Sequence, residues 1–445
     1  MRQRPSRPRL LQAMIDAFSL PDLRRRILIT FGILVTFRFI SHVPLPGVNP
    51  IALQELFNQN ALLGMLNLFS GGAMRQFSVA SMGVYPYITA SIIMILLVPV
   101  IPRLQALSQE GESGRNKINL ITHYLMVPLA GLSGYGQLVL MQRPVNVGGA
   151  LISPVDPTNT VLTVTIVVSL IAGTVFLVWL GELITEYGIG NGISIIIFGG
   201  IVAGYPTLIQ QGFLAKENTT GLLVYGLIVL ATIILIVIFT EAHRRIPVQY
   251  ARSVFRGGRM YKQSGTTHIP MRVNSAGMIP LIFAMSLVLF PGVMASYFVG
   301  PDATSGFWYT IQRLFSPDTA LPLGMFYWVL YFLLAVGFAF FYTMITYQQQ
   351  DLPGTLQRQG GFIPGIRPGK NTASYLQGVI NRITWAGALF LAFVAVMPFL
   401  ARWVTDVQQI QLSSLGMLIV VGVILDTMKQ LEAQLVMRRY EGFIK

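Results

Sequence analysis

The chain has 445 residues, 53% of them hydrophobic and 11% charged, with a mean hydropathy of +0.62 and a formal net charge of +14. That composition excludes an ordinary soluble globular domain and describes a polytopic membrane protein. Cysteine is absent, which excludes disulfides, thiolate nucleophiles and Cys-ligated metal sites.

A spanning helix needs ~20 apolar residues. Stretches of that kind recur at 27–43, 77–101, 118–141, 161–183, 189–213, 221–239, 277–298, 323–347, 380–401 and 412–428, and they predict about ten transmembrane helices. The segment up to Pro21 is Arg-rich and polar, unlike a cleavable signal peptide, so the first helix is expected to remain in the chain. The second stretch is preceded by a broken one: Ala61 to Phe69 starts a hydrophobic helix that Ser70-Gly71-Gly72 interrupts. The first piece has less than half the length a span requires. Irregular backbone at membrane depth is tolerated only where protein buries it or where it lines a water-filled cavity, because lipid cannot satisfy free N–H and C=O groups. A pore and a re-entrant loop with a packing role are both compatible with this pattern.

Basic residues set the orientation. With a cytoplasmic N-terminus, that side receives Arg2, Arg4, Arg7, Arg9, Arg24, Arg25, Arg26, Arg103, Arg115, Lys117, the 244–272 loop, Arg358, Arg367, Lys370, Arg382 and the tail. The opposite side keeps Arg75, Arg143, Lys216, Arg313 and Arg402. The positive-inside rule then places both termini in the cytoplasm, and this topology accounts for most of the basic excess without invoking nucleic acid.

Two cytoplasmic loops carry more than topology demands. Residues 241–272 interleave Arg244, Arg245, Arg252, Arg256, Arg259, Lys262 and Arg272 with Tyr250, Phe255 and Tyr261. Such a finger suits RNA phosphates and stacked bases, or an acidic protein groove, and the sequence leaves both open. Residues 348–375 contain Gly360-Gly361-Phe362-Ile363-Pro364-Gly365-Ile366-Arg367-Pro368-Gly369, whose Gly and Pro predict a compact non-helical tip with Arg367 at its apex.

Enzyme chemistry has no visible apparatus: no His-Glu-x-x-His, Gly-x-Ser-x-Gly or Walker element occurs. Gly188-Ile189-Gly190-Asn191-Gly192 has the wrong spacing for a phosphate loop and reads as a break before a membrane helix. His42, His123, His243 and His268 have no ligand spacing. Arg38, Glu182, Glu186 and Asp426 fall towards predicted helix ends, where snorkelling or pairing explains them. An ion-coupled transporter would need a polar midplane site that the sequence lacks.

Several motifs in fixed order then carry a resemblance. Leu68-Phe69-Ser70-Gly71-Gly72-Ala73, Tyr85-Pro86-Tyr87-Ile88-Thr89-Ala90-Ser91-Ile92, Glu110-Gly111-Glu112-Ser113-Gly114-Arg115, the run 184–194, Arg244-Arg245-Ile246-Pro247-Val248-Gln249-Tyr250-Ala251, the run 361–369 and Arg439-Tyr440-Glu441-Gly442-Phe443 resemble the bacterial SecY protein-translocation channel family almost end to end. One departure is the tip from Arg252 to Arg259, one residue longer than the family pattern.

The resemblance implies an all-α polytopic membrane protein with ten transmembrane helices in two pseudo-symmetric inverted halves of five, and a short re-entrant plug helix. The halves are expected at 1–213, with the plug at about 62–75, and 214–445, with cytoplasmic loops at about 241–272 and 348–375. Carried over by motif, the plug includes Leu66, Phe69, Ser70, Gly71, Gly72 and Arg75, and Ile88, Ile92, Ile193, Ile197, Ile282 and Ile419 form a pore ring. The implied function is a protein-conducting channel, not an enzyme, with no cofactor and no metal. It passes unfolded preproteins and signal peptides across the bacterial inner membrane and releases hydrophobic segments laterally into lipid. The implied partners are the SecE and SecG subunits, and the SecA ATPase or the ribosome docking through Arg252, Arg256 and Arg367, with rRNA contacted by the cytoplasmic loops.

Overall fold

The computed structural model describes residue 18, residues 20–59, 67, 70–147, 150–214, 219–256, 259–299, 305–317, 319, 323–405 and 414–444. Side chains are described at these positions except 58–59, 146, 207–214, 219, 222, 251–256, 259–266, 293, 296–297, 349, 402, 414 and 436–444. The chain forms two compact units: residues 1–217, 291–320 and 409–445, and residues 218–290 and 321–408.

The first unit opens with α1 (Pro21–Ile40) and the short α2 (Pro50–Gln59). Then come α3 (Tyr85–Leu97), α4 (Pro102–Gln109), α5 (Glu112–Met141), α6 (Thr160–Tyr187) and α7 (Gly192–Leu214). Local chemistry explains the boundaries. Proline occupies the first turn of α1, α3 and α4, where its missing N–H costs nothing. Asn159 Oδ1 accepts the Leu162 N–H at the start of α6, 3.0 Å away, and Asn191 Oδ1 accepts the Ser194 N–H at the start of α7, as N-caps do. A small antiparallel hairpin, β1 (Val145–Val147) and β2 (Ala150–Ile152), joins α5 to α6.

In the second unit, α8 (Thr219–Glu241) leads into a long antiparallel hairpin of β3 (His243–Arg256) and β4 (Arg259–Arg272). Next in the chain are α9 (Ile279–Phe298), α10 (Phe307–Leu314), α11 (Leu323–Gln350), α12 (Leu352–Arg358), β5 (Gly361–Phe362), α13 (Lys370–Thr405) and α14 (Ser414–Ile444). Of these, α10 and α14 belong to the first unit and α9 passes from the second to the first at Pro291. Aromatic pairs fix the second unit's packing. Phe239 of α8 stacks on Phe390 of α13 with centroids 4.1 Å apart, Trp328 of α11 stacks on Phe399 of α13, and Phe283 of α9 meets Phe338 of α11 edge-on.

Long helices lie at all ten predicted apolar stretches. Among the described residues, five runs satisfy both the length and the hydropathy of a span: Glu112–Met141, Thr160–Tyr187, Leu223–Glu241, Leu323–Arg358 and Lys370–Thr405. The pair α3 and α4 makes a sixth if its 100° bend is one broken span. The others fall short for identifiable reasons. Charges at Arg24, Arg25, Arg26 and Arg38 interrupt α1, and Asp426, Lys429 and Glu432 interrupt α14, while the fully described parts of α7 and α9 are the shorter apolar runs Gly192–Pro206 and Ile279–Gly292. The largest departure from the sequence reading is the stretch 77–101. Helix α3 begins only at Tyr85, and residues 77–84 form turns.

Small residues decide how these elements meet. A Cβ on Gly173, midway along α6, would lie 2.0 Å from the carbonyl oxygen of Val79, and one on Gly192 would lie 1.7 Å from the Gly181 oxygen. Gly131 faces only the tip of Ile171 at 3.5 Å, an ordinary contact. Gly173→Ala should therefore cost ~1–3 kcal/mol through overpacking and lower the thermal midpoint of the purified protein in detergent, while Gly131→Ala leaves it unchanged. Equal midpoints for the two variants would contradict this packing.

Candidate functional site

The predicted break is described from Ser70 onward, and there the chain is embedded in the first unit. Gly71 and Gly72 take positive φ of 66° and 87°, a region open to glycine at little cost, and the chain then makes a 3₁₀ turn over Ala73–Gln76. Asn67 organises the turn: its carbonyl accepts from the Ser70 hydroxyl and the Gly72 N–H, and its side-chain oxygen accepts the Arg75 N–H, all at 3.0 Å. The Ser70 hydroxyl in turn accepts the Met74 N–H. Met74 and Phe77 are fully buried in a core with Leu45, Leu53, Leu138, Val145 and Leu170. Phe77 also carries φ 43°, an uncommon left-handed conformation for a bulky residue.

Two contacts tie Gly71 to membrane helices. Its Cα meets Gly200 of α7 so closely that a Cβ on Gly71 would lie 2.5 Å from the Gly200 Cα, and one on Gly200 would lie 2.8 Å from the Gly71 Cα. The Arg38 guanidinium, from the end of α1, donates to the Gly71 carbonyl at 3.0 Å. A hydrogen bond to a charged donor contributes ~1.5–3 kcal/mol. The sequence reading treated Arg38 as a snorkelling charge and did not single out Gly200; the pairing of small residues on two elements was the available signal.

Of the predicted plug residues, Ser70 is buried, Gly71 and Gly72 form the turn, and Arg75 is exposed on it. Leu66 and Phe69 lie outside the described residues. Among the predicted ring residues, Ile88 and Ile92 sit one turn apart on α3, half-buried, and Ile193 and Ile197 one turn apart on α7. Ile193 also packs on α6, where a Cβ on Gly181 would meet its Cγ1 at 2.9 Å. Ile419 of α14 is buried in the first unit, and Ile282 of α9 is buried in the second. The nearest ionisable cluster joins α5 to α6, with His123 Nε2 3.0 Å from Glu182 Oε1 and the His123 ring 5.5 Å from that of Tyr87 on α3. Among the described residues no three His, Cys, Asp or Glu side chains gather as metal ligands.

The two basic loops become one structure. Strand β5 pairs with β3 through Gln249↔Phe362 and Tyr250↔Gly361, so the sheet runs in the order β4-β3-β5. Ile246, Val248 and Met271 of the hairpin share a core with Leu356, Ile363, Leu376 and Ile380. A Pro-Gly turn follows, in which the Ile366 N–H donates to the Ile363 carbonyl and Gly365 takes φ 81°, as a type II turn requires. Arg367 follows it and is exposed, its carbonyl accepting the Thr372 hydroxyl. Arg252 lies on β3 and Arg256 at its end, opposite Arg259; their side chains lie outside the described set.

A model of the SecY family matches residues 78–428. The protein translocase subunit SecY of Streptomyces scabiei is 42% identical over 455 aligned positions, covering 98% of this chain and all of that protein. In structure, the chain resembles a SecY protein whose plug domain is described as stabilising the closed state of the translocation channel, with a TM-score of 0.65, 15% identity, and coverage of 95% and 97% of the two chains. It also resembles Sec61 in the canine ribosome–channel complex, with a TM-score of 0.60, 15% identity and the same coverage. The architecture is therefore that of multi-pass helical channel proteins. Within that class, the chain belongs to the SecY family.

If Gly71 is held by its fit against Gly200, Gly200→Leu should push residues 70–72 out of place. In a chain without native cysteines, Ser70→Cys should resist a membrane-impermeant maleimide in the parent and react at least ~10-fold faster with Gly200→Leu added, a shift of ~1.4 kcal/mol in the opening equilibrium. Unchanged protection would show that the glycine contact does not hold this segment.

Proposed function

We propose that this chain forms the pore of the protein translocase of a bacterial inner membrane, with both termini in the cytoplasm. It is a protein-conducting channel subunit and not an enzyme, as its family membership establishes. The observation that carries the mechanism is the irregular segment from Ser70 to Val84, which docks, through Gly71 and Val79, at the middles of two membrane helices. Irregular backbone at such depth belongs beside a cavity or within protein.

In this reading the halves 1–213 and 214–445 are the two inverted repeats, and Ile88, Ile92, Ile193, Ile197, Ile282 and Ile419 close the path between them. Branched apolar side chains dewet a narrow pore and block ions, yet offer no fixed charge to trap a passing polypeptide. Residues 62–75, including Leu66 and Phe69, cap the ring as the plug. Opening breaks the Arg38–Gly71 hydrogen bond and the Gly71–Gly200 contact, while Met74 and Phe77 stay buried as the anchor. Hydrophobic segments leave sideways between the second and third and the seventh and eighth membrane helices. A stretch of ~20 apolar residues gains free energy in lipid, whereas each charge costs a few kcal/mol, so partition alone sorts secreted from membrane segments.

The chain supplies no driving force of its own. The SecA ATPase or the translating ribosome docks on the sheet formed by the two basic loops, through Arg252, Arg256 and Arg367, and SecE and SecG complete the complex. The turn before Arg367 supports this assignment, because a loop whose backbone is already ordered loses less entropy on docking than a mobile one. Arg367→Glu should reduce preprotein transport into vesicles ~10-fold or more, corresponding to ~1.4 kcal/mol or more of lost docking energy. Membrane insertion of the channel itself should be unaffected; unchanged transport would remove Arg367 from the docking surface.

A further inference from the structure

The short helix α10 has no part in the pore, and its placement points to a different partner. Its Trp308 stacks on Phe298, the last residue of α9, with centroids 4.6 Å apart and planes at 24°. Seven residues on, the backbone oxygen of Phe315 comes within 3.1 Å of where a Cβ on Gly292 would lie. Gly292 and Phe298 are separated by ~9 Å along a helix axis at 1.5 Å per residue, so α10 folds back along the last two turns of α9 instead of leaving the end of it.

This hairpin leaves large apolar groups uncovered. Phe307 is 71% exposed, Phe298 59% and Trp308 42%, with Phe307 meeting Trp308 edge-on at 5.3 Å and Met294 also exposed one turn before Phe298. Phe307, Ile311 and Leu314 recur at the i, i+4, i+7 spacing of one helix face. The opposite side carries Arg313, whose guanidinium lies 5.8 Å from the Tyr309 ring centroid. A short helix with Phe307, Ile311 and Leu314 on one face and a cation on the other, pinned beside the end of a membrane helix, has the composition of an interfacial element.

We propose that the α9–α10 hairpin is a lipid-seated anchor, in which Phe298, Phe307 and Trp308 occupy the boundary between headgroups and acyl chains and Arg313 faces the lipid phosphates. The anchor sets the depth of the C-terminal end of α9. Its partner is the bilayer surface and not another protein, because the exposed rings continue the exposed apolar stripe of α9 formed by Leu287, Phe290, Met294 and Phe298.

The test uses the full chain with its copurifying subunits in phospholipid vesicles. Phe307→Cys and Arg313→Cys are each labelled with a nitroxide, and collision rates with oxygen and with an aqueous nickel chelate are read by spin-label relaxation. Phe307 is exposed enough that its replacement leaves the packing intact. The proposal expects the oxygen-to-nickel collision ratio to be clearly higher at 307 than at 313, with 307 at interfacial depth. A nickel collision rate at 307 equal to that of a freely dissolved label would place the helix in a water-filled cavity and overturn it. Low collision rates with both reagents at 307 would show that another protein covers the face, and would overturn it equally.

Discussion

Backbone polar groups inside a bilayer have no water to turn to, and between Ser70 and Val84 this chain abandons regular helix beside the midpoints of its own membrane helices. Everything around that segment satisfies what the helix would have satisfied. Asn67, Ser70 and Ser78 supply side-chain partners to the turn. The Val79 N–H donates to the Val43 carbonyl, the Leu45 N–H to the Phe77 carbonyl, and Arg38 to Gly71. With these partners, the described break from Ser70 to Val84 is compatible with a membrane interior.

The same segment is held without bulk. Glycines at 71, 173 and 200 let backbone approach backbone, so that dispersion and hydrogen bonding replace hydrophobic burial, which gives no net drive where lipid is as apolar as the packing side chain. One end of the segment, at Met74 and Phe77, is locked into a core with the 43–56 segment and the β1–β2 hairpin. Among the described residues the other end is held by the Arg38–Gly71 hydrogen bond, the Gly71–Gly200 contact and the hydrogen bonds of Asn67 and Ser70.

How much of this could be read from the residues depended on the length scale of the signal. The ten long helices were legible because spans of ~20 apolar residues have few alternatives. The late start of α3 was not, because 77–84 is mostly apolar, with Ser78, Ser81 and Gly83 as its only local breaks, and the tertiary contacts at Val43 and Gly173 favour turns there. The basic finger was read as a loop, although Gly257-Gly258 between Tyr250–Phe255 and Met260–Tyr261 is a hairpin signal; its density of arginines masked the alternation. The pairing of β3 with β5 joins residues more than 100 apart in sequence, and no local pattern announces it. Arg38 was visible as a charge in an apolar helix, but its role depends on a carbonyl freed by a turn elsewhere in the chain.

The proposed function divides three tasks among these elements: sealing by apolar side chains, gating by the turn at Gly71, and docking by the β4-β3-β5 sheet. The central claim is that polypeptide passes the isoleucine ring, and the absence of native cysteine makes it directly testable. A cysteine at Ile92, and in a separate variant at the exposed Val168 of α6, would be oxidised in the presence of a stalled secretory chain carrying one cysteine in transit. The account predicts a disulfide adduct at 92 that requires both the stalled chain and its motor or ribosome, and none at 168. No adduct at 92 while transport is active, or equal yields at the two positions, would contradict it.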